Sequence, residues 1–384
     1  MNLTTAQLDR ACGVLLATAA GDALGAGYEF GPPLPPGAPV TMKGGGTFGW
    51  APGEWTDDTS MALAVAEAAA AGADLRTAPA QDAVTARWAH WAQDAPDVGS
   101  QTRAVLGAVR NGTAAEALAA ARALHERTGH TAGNGSLMRT APVAVAFLGD
   151  PDGLTGAAAA VSALTHYDPE AGEACVLWCH AIRHAVLGGG LDARAGLGRL
   201  PARARARWAG RLAEAEHART ADFTRNGWVV EALQAAWCAI ATAPVPPDRP
   251  AAGVFRAGHL RLALENAVRG GRDADTVAAI AGGLAGAAYG ASAVPARWRL
   301  ALHGWPGLRS RDLTALAAAA AGQPAARPAC GGGERPVVTV PHPDDPGLLL
   351  AGAGVLRGLP AGVTAVVSLC PAGVAQEAVP GRAP

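Results

Sequence analysis

Two short runs of hard oxygen ligands carry the chemistry open to this chain. In Gly53-Glu54-Trp55-Thr56-Asp57-Asp58-Thr59, two adjacent carboxylates lie between threonine hydroxyls. In Arg272-Asp273-Ala274-Asp275-Thr276, an acid-x-acid-Thr run repeats the theme. Each heads an apolar stretch of small residues with helical character. Thr56 and Asp57 are helix-capping types, and a plain N-cap with a spare acid beside it is one reading. Capping needs a single oxygen, whereas a cluster suits a hard divalent cation such as Mg²⁺ or Mn²⁺. If the helix starts meet, Asp57, Asp58, Asp273 and Asp275 with Thr56 and Thr276 can surround two ions. Burying that much negative charge without a counter-ion is costly.

A second informative stretch is the loop over residues 128–139. Gly129, Gly133 and Gly135 let backbone approach a ligand closely. Ser136 and Leu137 are expected to begin a helix whose first amides are free, a seat for an anion. Thr131, Asn134 and Ser136 add side-chain donors. The loop lies between helices, not after a strand, which argues against a dinucleotide-binding βαβ unit. Arg139 reads either as a phosphate contact or, preferably, as half of a structural ion pair. In Thr165-His166-Tyr167-Asp168-Pro169, Asp168 caps the next helix with Pro169 at its first position.

The elements that must position these residues are helical. Residues 5–23 read as an opening helix, with Leu8, Ala11, Cys12, Leu15 and Leu16 at helical spacing. Gly21, Gly25 and Gly27 are expected to break it, placing Asp22 in a helix C-terminal turn. Residues 32–50, rich in Pro and Gly, are loop. Helical runs follow at 61–71, 79–93, 100–110, 114–126, 170–185, 229–241 and 259–268. Asp97 falls in a turn before a helix for which Ser100 is a suitable cap. The arginine-rich stretch 194–219 reads as a solvated helical face. Asn266 is expected to orient the second acidic run. No strand-like alternation occurs in the first 320 residues, so the fold class is all-α.

Composition narrows the function classes. The chain has 384 residues, 50% hydrophobic and 5% aromatic, enough for a real core. A net charge of −1 gives no pull toward nucleic acid or anionic membrane. Six cysteines lie scattered without a Cys-x-x-Cys pair, so neither a disulfide framework nor a structural zinc site is indicated. Cys175 and Cys179, with His180, share a helix face that reads as core. No apolar span and no basic leader stands out, and a cytoplasmic monomer is expected.

These stretches resemble, in order, the ADP-ribosylglycohydrolase family. The matching residues are Gly21-Asp22-Ala23-Leu24-Gly25 through Glu29-Phe30, Trp55-Thr56-Asp57-Asp58-Thr59, Gly133-Asn134-Gly135-Ser136-Leu137-Met138-Arg139, Thr165-His166, Asn226-Gly227-Trp228-Val229-Val230 and Asp273-Ala274-Asp275-Thr276. They span roughly residues 8–315. The resemblance implies a compact multi-helix domain with a binuclear Mg²⁺ or Mn²⁺ centre that hydrolyses the N-glycosidic bond between ADP-ribose and an arginine side chain of a modified protein. Thr56, Asp57, Asp58, Asp273, Asp275 and Thr276 would hold the metals, and Asp57, Asp58 and Asp275 would accept a water's proton. Glu29 would serve as gate or metal ligand. Asp97 would stand on the substrate side, residues 131–136 would cradle the diphosphate and distal ribose, His166 would line the site, and Trp228 would border the adenine. The family often has Gly-Gly-Asp before Asp-Thr, and here Arg272 replaces the second glycine. Another ADP-ribose linkage (serine, a nucleic-acid end, a small metabolite) or a non-catalytic ADP-ribose-binding protein on the same fold are the alternatives.

The domain is expected to occupy residues 1–322. Residues 323–384 read as a Pro/Gly-rich linker and an incomplete tail, with a strand at 337–340 ended by Pro341 and another at 363–369. His342-Pro343-Asp344-Asp345 has the look of a deacetylase zinc motif without its later ligands. The piece around Cys370 resembles the start of a dual-specificity-phosphatase-like domain without its active-site pattern.

Overall fold

A computed structural model of the chain describes residues 1–35, 37–249, 252–323, 339–342 and 345–351. Fourteen α-helices are defined among them: α1 Thr5–Gly25, α2 Asp57–Ala70, α3 Ala78–Trp91, α4 Ser100–Leu106, α5 Ala114–Thr128, α6 Ala141–Ala146, α7 Pro151–Ala163, α8 Pro169–Gly188, α9 Ala202–Ala215, α10 Val229–Thr242, α11 Gly258–Arg269, α12 Ala274–Tyr289, α13 Ala296–Ala301 and α14 Ser310–Ala320. The fold is all-α. Two compact units are present, one built from residues 1–244 and 259–325, the other from 245–258 and 326–384.

In the first unit α1 and α12 form the central pair. Their contact is backbone on backbone. A Cβ at Gly21 would stand 2.1 Å from the carbonyl oxygen of Ala278, and one at Gly282 would stand 2.1 Å from that of Ala17. Gly21 and Gly25 therefore do not break α1, contrary to expectation. The helix runs through both, and the missing side chains let a second helix press against it. Asp22 accordingly lies inside a buried helix and not in a terminal turn. The Thr5–Tyr28 segment is long and apolar enough to cross a membrane, but 89% of its apolar window is buried in this packing.

Around the pair, indole donors tie helices together. Trp88 Nε1 donates to the Met61 carbonyl at 2.9 Å, and Trp178 Nε1 to that of Ile280 at 3.0 Å. Cys175 and Cys179 are buried thiols on the core face of α8. Asp168 caps α8 through the Glu170 amide at 2.9 Å, with Pro169 leading the helix. On α9, Arg207 and Arg211 are not simply solvated; they pair with Glu173 and Glu170 of α8 at 2.6 and 2.8 Å. Asn266 donates to the Ala239 carbonyl and to Thr242, tying α11 to α10 and leaving the acidic run to other residues.

The strand content is small. A two-residue pair, β1 His303–Gly304 with β2 Leu308–Arg309, lies in the first unit. In the second, β3 Thr339–His342 pairs antiparallel with β4 Asp345–Ala351. Pro341 does not end β3 but stands opposite Leu349, with the register shifting just after it. The run at 363–369 and Cys370 lie outside the described residues.

Candidate active site

The two acidic runs meet. α2 begins at Asp57 and α12 at Ala274, and their N-termini converge beside the end of α1. Carboxylate oxygens of Asp22, Asp58 and Asp275 lie within 4.8 Å of one another, and so do those of Glu29, Asp273 and Asp275. Asp275 belongs to both groups. Thr56 Oγ1 donates to Asp58 Oδ2 at 3.1 Å, and Thr276 Oγ1 reaches the same oxygen at 3.5 Å. Asp58 Oδ1 and Glu29 Oε2 are buried and have no hydrogen-bond partner among the described residues.

Asp22 is the acid whose role the sequence reading missed. Its Oδ1 accepts from the Thr56 amide at 2.9 Å, and its Oδ2 from the Thr59 amide at 3.0 Å and the Thr59 hydroxyl at 2.6 Å. α1 thus caps α2 from outside, and the Thr56 side chain makes no cap bond, leaving it free for the cluster. An acid inside an otherwise apolar helix was the available signal.

Negative charge dominates the electrostatics of the site. Burial first, then mutual repulsion, drives the carboxyls of Asp57, Asp58 and Asp275 well above the usual range. Burial and the charges of Asp273, Asp97 and Asp57 push Glu29 up to about 9. Asp22 rises only to about 6, because hydrogen bonds from Thr59 and Thr56 oppose its burial. Burial also raises Asp273, against the hydrogen bond from Asn134. A bound cation would relieve this conflict, and the orphaned oxygens of Asp58 and Glu29 could serve as its ligands.

The surrounding loops are strapped in place. The Phe30 amide donates to the Arg272 carbonyl at 2.6 Å and the Arg272 amide to that of Gly31 at 2.7 Å, joining the Glu29 turn to the second acidic run. Phe30 (φ 59°) and Arg272 (φ 60°) both take left-handed backbone here. Arg272 thus occupies a position suited to glycine. Asn226 accepts from the Asp273 amide at 3.2 Å and donates to the Gly271 carbonyl at 3.1 Å, the orienting role expected of Asn266.

The glycine-rich loop is a single 3₁₀ turn over Asn134–Ser136, not the start of a long helix; α6 begins only at Ala141. Asn134 Nδ2 donates to Asp273 Oδ2 at 2.7 Å, so loop and acids form one structure. The Asn134 amide donates to the Gly227 carbonyl at 3.0 Å and the Val229 amide to that of Ala132 at 2.9 Å, placing Trp228 alongside. Gln101 clips the loop to the histidine segment through the carbonyls of Thr131 and Thr165, at 3.0 and 2.9 Å. Cβ atoms at Gly133 and Gly135 would each stand 3.2 Å from His166 Nε2, so the ring lies on the loop. Two side chains turn away from the expected surface. Ser136 Oγ accepts from Ser162 at 3.0 Å within the core, and Thr131 Oγ1 pairs with His125 at 2.6 Å. Arg139 finds no acid: it is fully buried, makes no ion pair among the described residues, and lies over the Trp88 ring at 4.0 Å.

Beside Asp57 opens a cleft of about 430 Å³. Its walls include Trp50, Trp55, Trp91 and Trp305 and the acids Glu54, Asp94 and Asp97, and no Lys or Arg lines it among the described residues. The Trp55 amide donates to the His303 carbonyl at 3.1 Å, and Trp55 Nε1 to that of Trp305 at 3.2 Å, so β1 fixes this wall. Ser100 does not cap α4 but is its first residue; the cap position is Gly99, with no side-chain cap bond. Burial and the charge of Asp273 raise Asp97 to about 6, with Arg103 opposing.

Comparison with known proteins follows the same residues. The sequence profile of the ADP-ribosylglycohydrolase family matches residues 3–329. An ADP-ribosylarginine hydrolase of Pseudomonas putida is 33% identical over 300 residues, covering 76% of this chain and 73% of that protein. The ADP-ribosyl-[dinitrogen reductase] glycohydrolase of Rhodospirillum rubrum is 30% identical over 302 residues, covering 76% and 89%. A solved chain described as an ADP-ribosylglycohydrolase-related protein complex superposes with a TM-score of 0.59 at 30% identity, covering 83% of this chain and 99% of that one. None of these matches supports a phosphatase-like tail. With its paired acidic helix starts and this profile, the chain belongs to the ADP-ribosylglycohydrolase family.

Proposed function

We propose that this protein releases ADP-ribose from the arginine side chain of a modified protein by hydrolysing the N-glycosidic bond at the ribose anomeric carbon. The observation that carries the proposal is the junction of two acidic helix starts at Asp275, beside a cleft walled by tryptophans and carboxylates. Such walls suit a planar guanidinium, through cation–π contact and charge. The name of the Pseudomonas putida relative points to the same linkage, and that of the Rhodospirillum rubrum relative to a modified protein as substrate.

The two groups sharing Asp275 offer places for two ions, Mg²⁺ or Mn²⁺. Thr56, Asp57, Asp58, Asp273, Asp275 and Thr276 would hold them, with Glu29 and Asp22 contributing charge. Bound there, the ions would supply Lewis acidity toward the ribose hydroxyls and the attacking water. Asp57 borders the cleft, whereas Asp58 and Asp275 are not among its lining residues. In this reading Asp57, the metal-shell acid that lines the cleft, takes the water's proton. The water oxygen joins the anomeric carbon, the carbon–nitrogen bond breaks, and the proton ends on the departing guanidine nitrogen. Trp228 and the Asn134 loop would seat the adenosine end and diphosphate. Cys12, Cys175, Cys179 and Cys238 are free thiols, in keeping with work in the cytoplasm.

The test is release of free ADP-ribose from an arginine-ADP-ribosylated protein, read by mass spectrometry with Mg²⁺, with Mn²⁺ and with EDTA. Metal-dependent release is the expected result. No release, with ADP-ribose still bound by calorimetry, would sink the arginine reading.

A further inference from the structure

Arg139 presents a physical puzzle. Its guanidinium is wholly buried and has no carboxylate partner among the described residues, an arrangement that is ordinarily unfavourable. Stacking on Trp88 offsets part of that cost. What the charge holds is Thr165: Arg139 Nη2 donates to Thr165 Oγ1 at 2.6 Å. The same oxygen lies 2.7 Å from His166 Nδ1.

The direction of this relay follows from leaving no buried hydrogen unpaired. Arginine only donates, so Thr165 Oγ1 accepts from it. The hydroxyl has one hydrogen of its own, and His166 Nδ1 is the acceptor within reach. Nδ1 then carries no proton, and in the neutral ring the proton is on Nε2. Burial and the nearby Arg139 charge both hold His166 far below its ordinary pKa, which keeps the ring neutral. Nε2 makes no hydrogen bond among the described residues and faces Gly133 and Gly135.

We propose that Arg139 and Thr165 are positioning residues that hold His166 as its Nε2–H tautomer, offering one hydrogen-bond donor to an oxygen of ADP-ribose seated on the glycine loop. The seat rests on the function proposed above; the tautomer does not. Removing the relay frees the ring to take the other tautomer, whose Nε2 is an acceptor and repels an oxygen.

The experiment is ¹⁵N NMR of the histidine side chains of the full chain with Mg²⁺, the His166 signals being identified by their loss in His166→Gln. Wild type should show an unprotonated Nδ1 and a protonated Nε2. Thr165→Val, nearly the same size without the hydroxyl, should mix the tautomers and weaken ADP-ribose binding by calorimetry about tenfold. Thr165→Ser should restore both. A protonated Nδ1 in wild type, or a tautomer unmoved in a folded Thr165→Val protein, would overturn the relay. Failure of wild type to bind ADP-ribose would instead overturn the seat, and the donor role with it, while the NMR still reports on the tautomer.

Discussion

A Cβ placed on Gly25 would stand 2.3 Å from the Cα of Asp275. The end of α1 thus lies against the first turn of α12, which brings Asp22, one turn earlier, to Asp275. Packing and chemistry share one contact. Gly25→Ala should force the helices apart, costing about 1–3 kcal/mol by denaturant unfolding. It should also abolish the rise in melting temperature that Mg²⁺ or Mn²⁺ gives. A variant that melts like wild type and keeps that rise would show the contact to be dispensable.

Asp275 should behave oppositely with and without cation. Asp275→Ala removes a buried carboxyl that burial and four other carboxylates oppose, so in EDTA its melting temperature should equal or exceed that of wild type. With Mg²⁺ it should gain little, while wild type gains several degrees. Asp57→Ala should lower turnover by about 10²–10⁴-fold with an unchanged helical circular dichroism spectrum. Global unfolding of either variant would assign these acids a structural role.

The stability of the chelated protein should fall as pH rises. Asp22 and Asp97 stand at about 6 and Glu29 at about 9 in the folded chain, against ordinary values of 3.8 and 4.5. A group that holds its proton more tightly when folded stabilises the fold fully below its unfolded value and loses that contribution as pH climbs through its folded value. The loss therefore comes in two stages, from about pH 4 to 6 for the aspartates and on toward about pH 9 for Glu29. Divalent cation favours the ionised cluster, so its thermal gain should be larger at the alkaline end. Thermal melts in EDTA and in Mg²⁺ at several pH values check this; a melting temperature that climbs with pH in EDTA contradicts it.

Asp97→Asn should test the cleft as the acceptor's seat. Loss of the charge should lower kcat/KM for the arginine linkage by about tenfold, chiefly through KM, because a cation is no longer attracted. A phosphate-linked ADP-ribose should be cut no worse, having lost a repulsion. Equal losses on both linkages would indicate a general disturbance of the site.

The sequence alone determined the fold class, most helix extents and both acidic runs, because 3.6-residue apolar spacing and capping chemistry are local. Read together with the family resemblance, it also named the reaction. What it left open depends on residues distant along the chain. Gly21 and Gly25 look like helix breakers until α12 is seen against them. Asp22 looks like a terminal residue until the amides of Thr56 and Thr59 arrive, more than thirty residues later. Asn226, not Asn266, orients the second acidic run because the loop before α10 passes the start of α12, a fact of chain path with no local signature. Ser136 looks like a ligand contact by type and Arg139 like half of an ion pair, yet tertiary packing turns both inward, and no acid pairs with Arg139 among the described residues. A side chain's identity fixes which bonds it can make, and only the folded chain decides which partners are within reach.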